Sequence, residues 1–342
     1  MVLTMSESKT VIPKNPAVVY FPVSKNPFEF KAGLYNLGGK ENPAENRVFQ
    51  IDDQWSYYRS EKIKSRQERL AKYICQQNLS QHVAAQACHY IASQFTQEYP
   101  NYFHYQQGKQ FSKFNSLLSN ERFVFDSQMN LLAESETSIA PDYLNMLDAL
   151  ACQLQEDITI TEVGKDNDKL TYLHLCYPNY WAAGEKIGTS FLDSHTPVPD
   201  MEKIARNHRG IVEMLLNKGP FERFTWGLTS DTRLNHHPEP APGFDKQSWW
   251  GRKFDSSDPK LFFRIERQIT IPLPEVNSFL FIIRTYYRDI ALFSHQELTR
   301  LMFSINSMSD NILNYKGISQ SKKEILEWMS ALKDKAAKYS DE

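Results

Sequence analysis

The chain of 342 residues is short of the features that mark several common classes of protein. It has no excess of either charge: 39 Lys+Arg against 41 Asp+Glu leave a formal net charge of −2. That balance offers no electrostatic footprint for nucleic acid or an anionic membrane surface. Cysteine is scarce, with Cys75, Cys88, Cys152 and Cys176 only, and no C-x-x-C pair or iron–sulfur or zinc spacing. These four read as buried core thiols. There is no G-x-G-x-x-G, no G-x-x-x-x-G-K-[ST] and no G-x-S-x-G. These absences argue against a Rossmann dehydrogenase, a P-loop enzyme and an α/β-hydrolase. Long apolar runs are also missing. Phe279–Ile283 is the longest, against the roughly 20 residues a membrane crossing needs. The opening MVLTMSESKTVIPKN has no basic stretch followed by an apolar one, so a cytoplasmic protein without a signal peptide is expected.

Aromatic residues, by contrast, are plentiful: 21 Phe, 17 Tyr and 6 Trp. That much flat apolar surface suits a large apolar ligand and equally a well-filled core. Residues 1–45 are rich in Pro, Asn, Gly and Lys without a period and read as an irregular arm. Apolar spacing predicts a helix from Tyr58 to Asn78, with Ile63, Leu70, Tyr73 and Ile74 on one stripe. A second helix starts after Ser80 and ends before Pro100, and Pro141 opens a third, PDYLNMLDALACQLQE. Strands are expected at Arg122–Asp126, Ile158–Val163, Leu170–Tyr177, Phe221–Ser230, Phe262–Ile271 and Ser278–Tyr287. One helix follows Pro199 and stops at Gly219. Two more, Ser294–Asn314 and Ser319–Lys338, close the chain. Asn235–Asp258, with His236, His237, Trp249 and Trp250, is a long loop and a candidate lid or partner surface. Central strands flanked by helices at both ends define an α+β fold around a mostly antiparallel sheet.

The chemistry-bearing stretch is Gln155–Pro199. His195 precedes Thr-Pro-Val-Pro, and the prolines stiffen the backbone behind it, which a metal-ligating imidazole requires. A solvent histidine near a helix start fits the same residues. His174, between Tyr172 and Cys176 on a strand, reads as a core histidine. Lys186 suits a ligand carboxylate or a surface ion pair. Further cations sit in apolar strands: Arg223 beside Trp226, Arg264 and Arg267 around Glu266, and Arg284 before Tyr286. Alternation puts Arg264 and Glu266 on one sheet face, Arg267 on the other, and Arg284 with Tyr286. Such charges are expensive unless paired or bound to an anionic ligand. An internal Arg–Glu network and a pocket for an acidic ligand both account for them.

In order along the chain come FQIDDQWSYYRSEKIKSR, QEDITI, CYPNYW, EKIG, HTPVP, RFTW, FRIERQ and FLFIIRTY. This ordered set resembles the haem-bearing α-subunit family of haem-dependent oxidative N-demethylases. The resemblance implies a PAS-like haem-binding sheet with haem b. It implies a domain over 46–315 with a helical front part, preceded by the arm and followed by a charged helix at 316–342. It also implies oxidation of a small secondary amine such as dimethylamine, with O2 and with electrons from NADPH delivered by flavin and iron–sulfur reductase subunits. By the same resemblance His195 is the axial ligand. Lys186, Arg223, Trp226, Arg264 and Arg267 then contact the cofactor, and Glu266, Tyr286 and Arg284 the reacting side. Thr225 stands where the family has Asn, and ITIPLPEVN after FRIERQ lacks the family's basic residues. A haem-binding PAS-like sensor or module without turnover is the rival reading. A cofactor-free interaction protein is a third.

Overall fold

The computed structural model describes residues 18–244 and 254–338. Trp249 and Trp250 of the long loop therefore lie outside the described residues. The chain divides into two compact units. One contains residues 38–67 and 79–155, the other residues 19–37, 68–78 and 156 onward.

In the first unit, the front of α1 (Trp55–Tyr73) and α2 (Gln81–Glu98) accompany a three-stranded antiparallel sheet. Its strands are β3 (Phe103–Gln106), β4 (Phe111–Ser116) and β5 (Glu121–Asp126). Ser80 caps α2 as expected, its hydroxyl accepting from the Val83 amide. The buried side of α2 ends at Phe95, whose ring lies 4.4 Å from that of Phe103. A cationic row on α1 serves this unit: Arg59 donates to Glu121 at 2.8 Å, Lys62 to the Ala151 carbonyl at 2.7 Å, and Arg66 to Asp148. These residues are three and four apart, so one helical face carries all three charges. Arg59 and Lys62 meet the C-terminal end of α3 (Met146–Ala151), donating to the Cys152 and Ala151 carbonyls, where positive charge is favourable. That helix begins five residues after Pro141, because Asn145 supplies the cap, accepting from the Asp148 amide at 3.0 Å.

The second unit is built on a seven-stranded sheet in the order β1-β8-β9-β10-β6-β7-β2, with every ladder antiparallel. Its strands are β1 (Tyr35–Asn36), β2 (Ile74–Gln76), β6 (Asp157–Val163), β7 (Asp168–His174), β8 (Phe221–Thr229), β9 (Phe262–Leu273) and β10 (Ser278–Asp289). The α+β class with an antiparallel sheet is as expected. Taken in chain order, the central five strands lie 2-1-5-4-3 across the sheet. Short helices α4 (Ala183–Lys186), α5 (Phe191–His195), α6 (Glu202–Arg206) and α7 (His208–Asn217) fill the connection from β7 to β8. The chain ends in α8 (His295–Asn306), α9 (Asp310–Tyr315) and α10 (Lys322–Lys338).

Three expectations change here. Ser294–Asn314, expected as one helix, is α8 and α9, the second capped by Ser309. Ile74–Gln76 leaves the helix and pairs with β7, Ile74 facing His174. The helix after Pro199 is two helices broken at Asn207.

Register fixes the two faces of this sheet. Arg223, Gln268, Glu266, Arg264, Thr270, Phe281, Phe279, Thr159 and Thr161 share one. Val212 and Leu215 of α7 pack there against Phe221 and Phe279. Glu222, Phe224, Trp226, Ile265, Arg267, Arg284 and Tyr286 share the other. The arm lies on that side: Tyr20 is 4.8 Å from Phe224 and Phe28 is 5.6 Å from Trp226, ring to ring.

Candidate functional site

A cleft open to solvent lies between α5–α7 and the first sheet face. Its walls are Phe191, Met201, Ile204, Ile211 and Leu215 from the helices, and Thr159, Thr161, Thr270, Phe279 and Phe281 from the sheet. Ala32 and Leu34 of the arm complete it. The arm contribution had no signal in the sequence, because two isolated apolar residues among Gly and Lys make no period.

His195 and Arg223 are the nitrogen-bearing side chains of this lining. His195 ends α5, a helix started by Ser190, which accepts from the Asp193 amide at 3.0 Å. Asp168 on β7 accepts from the Phe191 amide and anchors the same turn. Gly188 makes the turn before it at φ +79, where an added Cβ would come within 2.4 Å of the Gln77 side chain. The His195 Nδ1 lies 2.7 Å from the Phe191 carbonyl oxygen. A carbonyl accepts only, so Nδ1 carries the proton and Nε2 keeps its lone pair. Burial pulls the imidazole pKa down against the Phe191 bond, and the Arg223 and Lys186 charges pull the same way. The ring is thus neutral, the form that ligates iron.

Arg223 is a cation in want of an anion. Its Nε is shielded from solvent and has no hydrogen-bond partner among the described residues. Burial lowers its pKa, partly offset by Glu266 and Tyr315. Glu266 cannot supply contact, being held by Arg264, by Gln268 at 2.9 Å and by Thr225 at 3.4 Å. Lys186 donates to the Ser194 carbonyl at 2.7 Å, bracing the helix that carries His195.

The other candidate residues lie across the sheet. Arg267 pairs with Glu222 at 2.6 Å, both 1% exposed. The Arg284 guanidinium stands 5.0 Å over the Tyr286 ring, and burial holds the Tyr286 phenol well above its ordinary pKa. Trp226 packs under Lys316, whose Nζ is 4.6 Å from the ring and donates to the Trp226 carbonyl at 2.6 Å. The sheet therefore brings His195, Arg223, Arg264 and Glu266 to one face and Arg267, Arg284, Tyr286 and Trp226 to the other. His174 is fully buried beside Cys176, and both oxygens of Asp157 accept backbone amides of Cys176 and Tyr177. That trio forms a polar knot in the core.

A histidine and an arginine whose Nε has no hydrogen-bond partner among the described residues, both lining an apolar cleft, fit an acidic metallocofactor. The fold and cleft thus define an α+β protein whose antiparallel sheet and short helices frame a cleft lined by His195 and Arg223. A family model described as haem-dependent oxidative N-demethylase, alpha subunit-like, matches residues 39–326, and the chain belongs to that family. It is therefore a haem-dependent oxidoreductase, and the family's description as an alpha subunit implies an oxidase of more than one kind of subunit. Among the described residues no helix is long and apolar enough to cross a membrane.

Proposed function

We propose that the chain binds haem b in the α5–α7 cleft and carries out oxidative N-demethylation of a small methylated amine. Dimethylamine is the substrate the resemblance implies. The observation that carries this reading is the His195 Nδ1 contact with the Phe191 carbonyl at 2.7 Å, which leaves Nε2 for iron. The 2-1-5-4-3 strand order supports a PAS-like sheet. When bound, haem supplies oxygen activation and electron transfer.

The protein's own residues divide the remaining work. Arg223 neutralises a haem propionate, and Lys186 holds α5 in place. Phe191, Phe279 and Phe281 keep water from the cofactor face. Glu266 offers the negative charge beside which an ammonium group is held, since an unpaired buried ammonium costs several kcal/mol. The net reaction takes a methylated amine, O2, two electrons and two protons to the demethylated amine, formaldehyde and water. The electrons come from a flavin and iron–sulfur partner, in keeping with a chain that has no dinucleotide fingerprint and no cluster cysteines. A cytoplasmic setting belongs to the same reading.

The test is a single turnover. Haem-loaded protein, kept with chemical reductant sufficient for both electrons and mixed with O2 and dimethylamine, should release formaldehyde above the amine-free control. NADPH alone should not replace the reductant. Haem and O2 binding without formaldehyde from any small methylated amine would favour a sensor instead.

A further inference from the structure

We infer that Arg264 is a positioning residue for Glu266, holding its carboxylate in one orientation on the same sheet face as the cleft. This rests on the reading of Glu266 as the group that holds the amine. Arg264 is tethered in four directions. Its Nη1 donates to Glu266, and its Nη2 to the Tyr177 carbonyl at 3.0 Å and to Thr285 Oγ1 at 3.1 Å. Its Nε donates to the Tyr287 hydroxyl at 3.3 Å. Tyr287 in turn donates to the Arg233 carbonyl, and Asp231 holds the Arg233 side chain at 2.8 Å. A planar guanidinium bonded this way cannot swing, so its pairing with Glu266 is directional.

Glu266 is fixed from both ends. Arg264 takes Oε1, and Gln268 and Thr225 donate to Oε2. Burial works to protonate the carboxyl, but the Arg264 charge and bond outweigh it and hold the group below the ordinary range. Every strand around it contributes. On β9 lie Arg264 and Gln268, and on β8 lie Thr225 and Arg223, the latter attracted electrostatically without a hydrogen bond to Glu266. On β10 Thr285 and Tyr287 act through Arg264, and His236 of the loop after β8 adds a neighbour to Arg264. The arrangement makes Glu266 an anchor for a cation and a poor proton acceptor. Without Arg264, burial is opposed only by Gln268, Thr225 and the Arg223 charge, so the carboxyl holds a proton more readily and the ammonium loses a fixed counter-charge.

The experiment is a dimethylamine titration of the ferric haem spectrum in the full-length, haem-loaded protein between pH 6 and 8. Wild type should show an affinity that Glu266 leaves independent of pH. Glu266→Gln should weaken it at least tenfold at every pH. Arg264→Gln should weaken it about tenfold at pH 6 and recover part of the loss by pH 8, while Arg264→Lys keeps the flat profile. Tyr287→Phe, a milder change that keeps the ion pair, should weaken affinity about threefold, the scale of one hydrogen bond. It decides the matter if Arg264→Gln fails to fold. Wild-type affinity and a flat profile in Arg264→Gln and in Tyr287→Phe, with Glu266→Gln still weakened, would overturn the positioning role alone. An unaffected Glu266→Gln would instead remove the amine-site reading on which it rests.

Discussion

Phe191 and His195 are one helical turn apart, and the Phe191 carbonyl fixes the His195 tautomer through a 2.7 Å contact with Nδ1. The two rings also pack, centroids 4.5 Å apart. In the proposed function a single five-residue helix thus supplies the ligand nitrogen, the group that orients it and part of the apolar wall. Metal ligation by histidine depends on such an outer partner, because ring orientation sets the coordination geometry.

Arg223 is the clearest case of an internal cost that a ligand removes. Its shielded Nε has no hydrogen-bond partner among the described residues. Arg223→Met should therefore raise the melting temperature of the haem-free form while weakening haem binding about tenfold, or about 1.4 kcal/mol. Thermal melts with and without haem check this. A fall in both would show that Arg223 is held by groups of the protein itself.

Arg66 and Asp148 make a fully buried pair within the first unit, and Arg66 also donates to the carbonyls of Pro141 at 3.0 Å and Asp142 at 2.9 Å. Asp148→Asn leaves that cation without its counter-charge and should cost about 3–5 kcal/mol in urea unfolding. The double change Arg66→Met with Asp148→Leu should recover much of the loss, because no buried charge is then stranded. Equal damage from the double change would mean that shape, not charge, sets the cost.

His236 gives a pH dependence whose sign follows from its surroundings. Burial holds its imidazole below the ordinary value against Asp231, which lies 2.9 Å from Nε2, while Arg264 and Arg233 act with burial. As pH falls through about 6.5, the unfolded chain takes a proton that the folded protein refuses. The stability this group contributes is thus complete above that pH and declines below it, by at most about 1.4 kcal/mol per pH unit. His236→Asn should narrow the difference in urea stability between pH 7.5 and 5.5. It should not abolish it, since His89, His195 and His237 are also held low, mainly by burial. An unchanged difference would mean that His236 is protonated in the folded state.

The strands β6 to β9 were legible from their largely alternating apolar and polar residues and β10 from its apolar run Phe279–Ile283, while PLPEVN announced the tight return between β9 and β10. Strand β4 was not, since its buried positions include Ser112 and Ser116 while Phe111 is 53% exposed. Ile74–Gln76 continued the apolar stripe of α1, so the switch to a strand, decided by pairing with β7, left no local mark. Within the candidate site, alternation separated Arg264 and Glu266 from Arg267 correctly. Which face is the cleft depends on where α5 to α7 lie, and that is a tertiary fact. The packing of Trp226 and Tyr286 against the arm was hidden for the same reason, because residues 18–34 show no period that betrays Tyr20 or Phe28 as core partners.

The central claim is that haem is held through His195. It is tested most directly by the haem stoichiometry and ferric absorption spectrum of wild type, His195→Ala and His174→Ala. Wild type should bind about one haem per chain with a Soret band. His195→Ala should lose most of its haem or change its spectrum, whereas His174→Ala should keep the spectrum and lose stability, its ring being fully buried in the core. A native spectrum in His195→Ala together with loss of haem in His174→Ala would contradict the account.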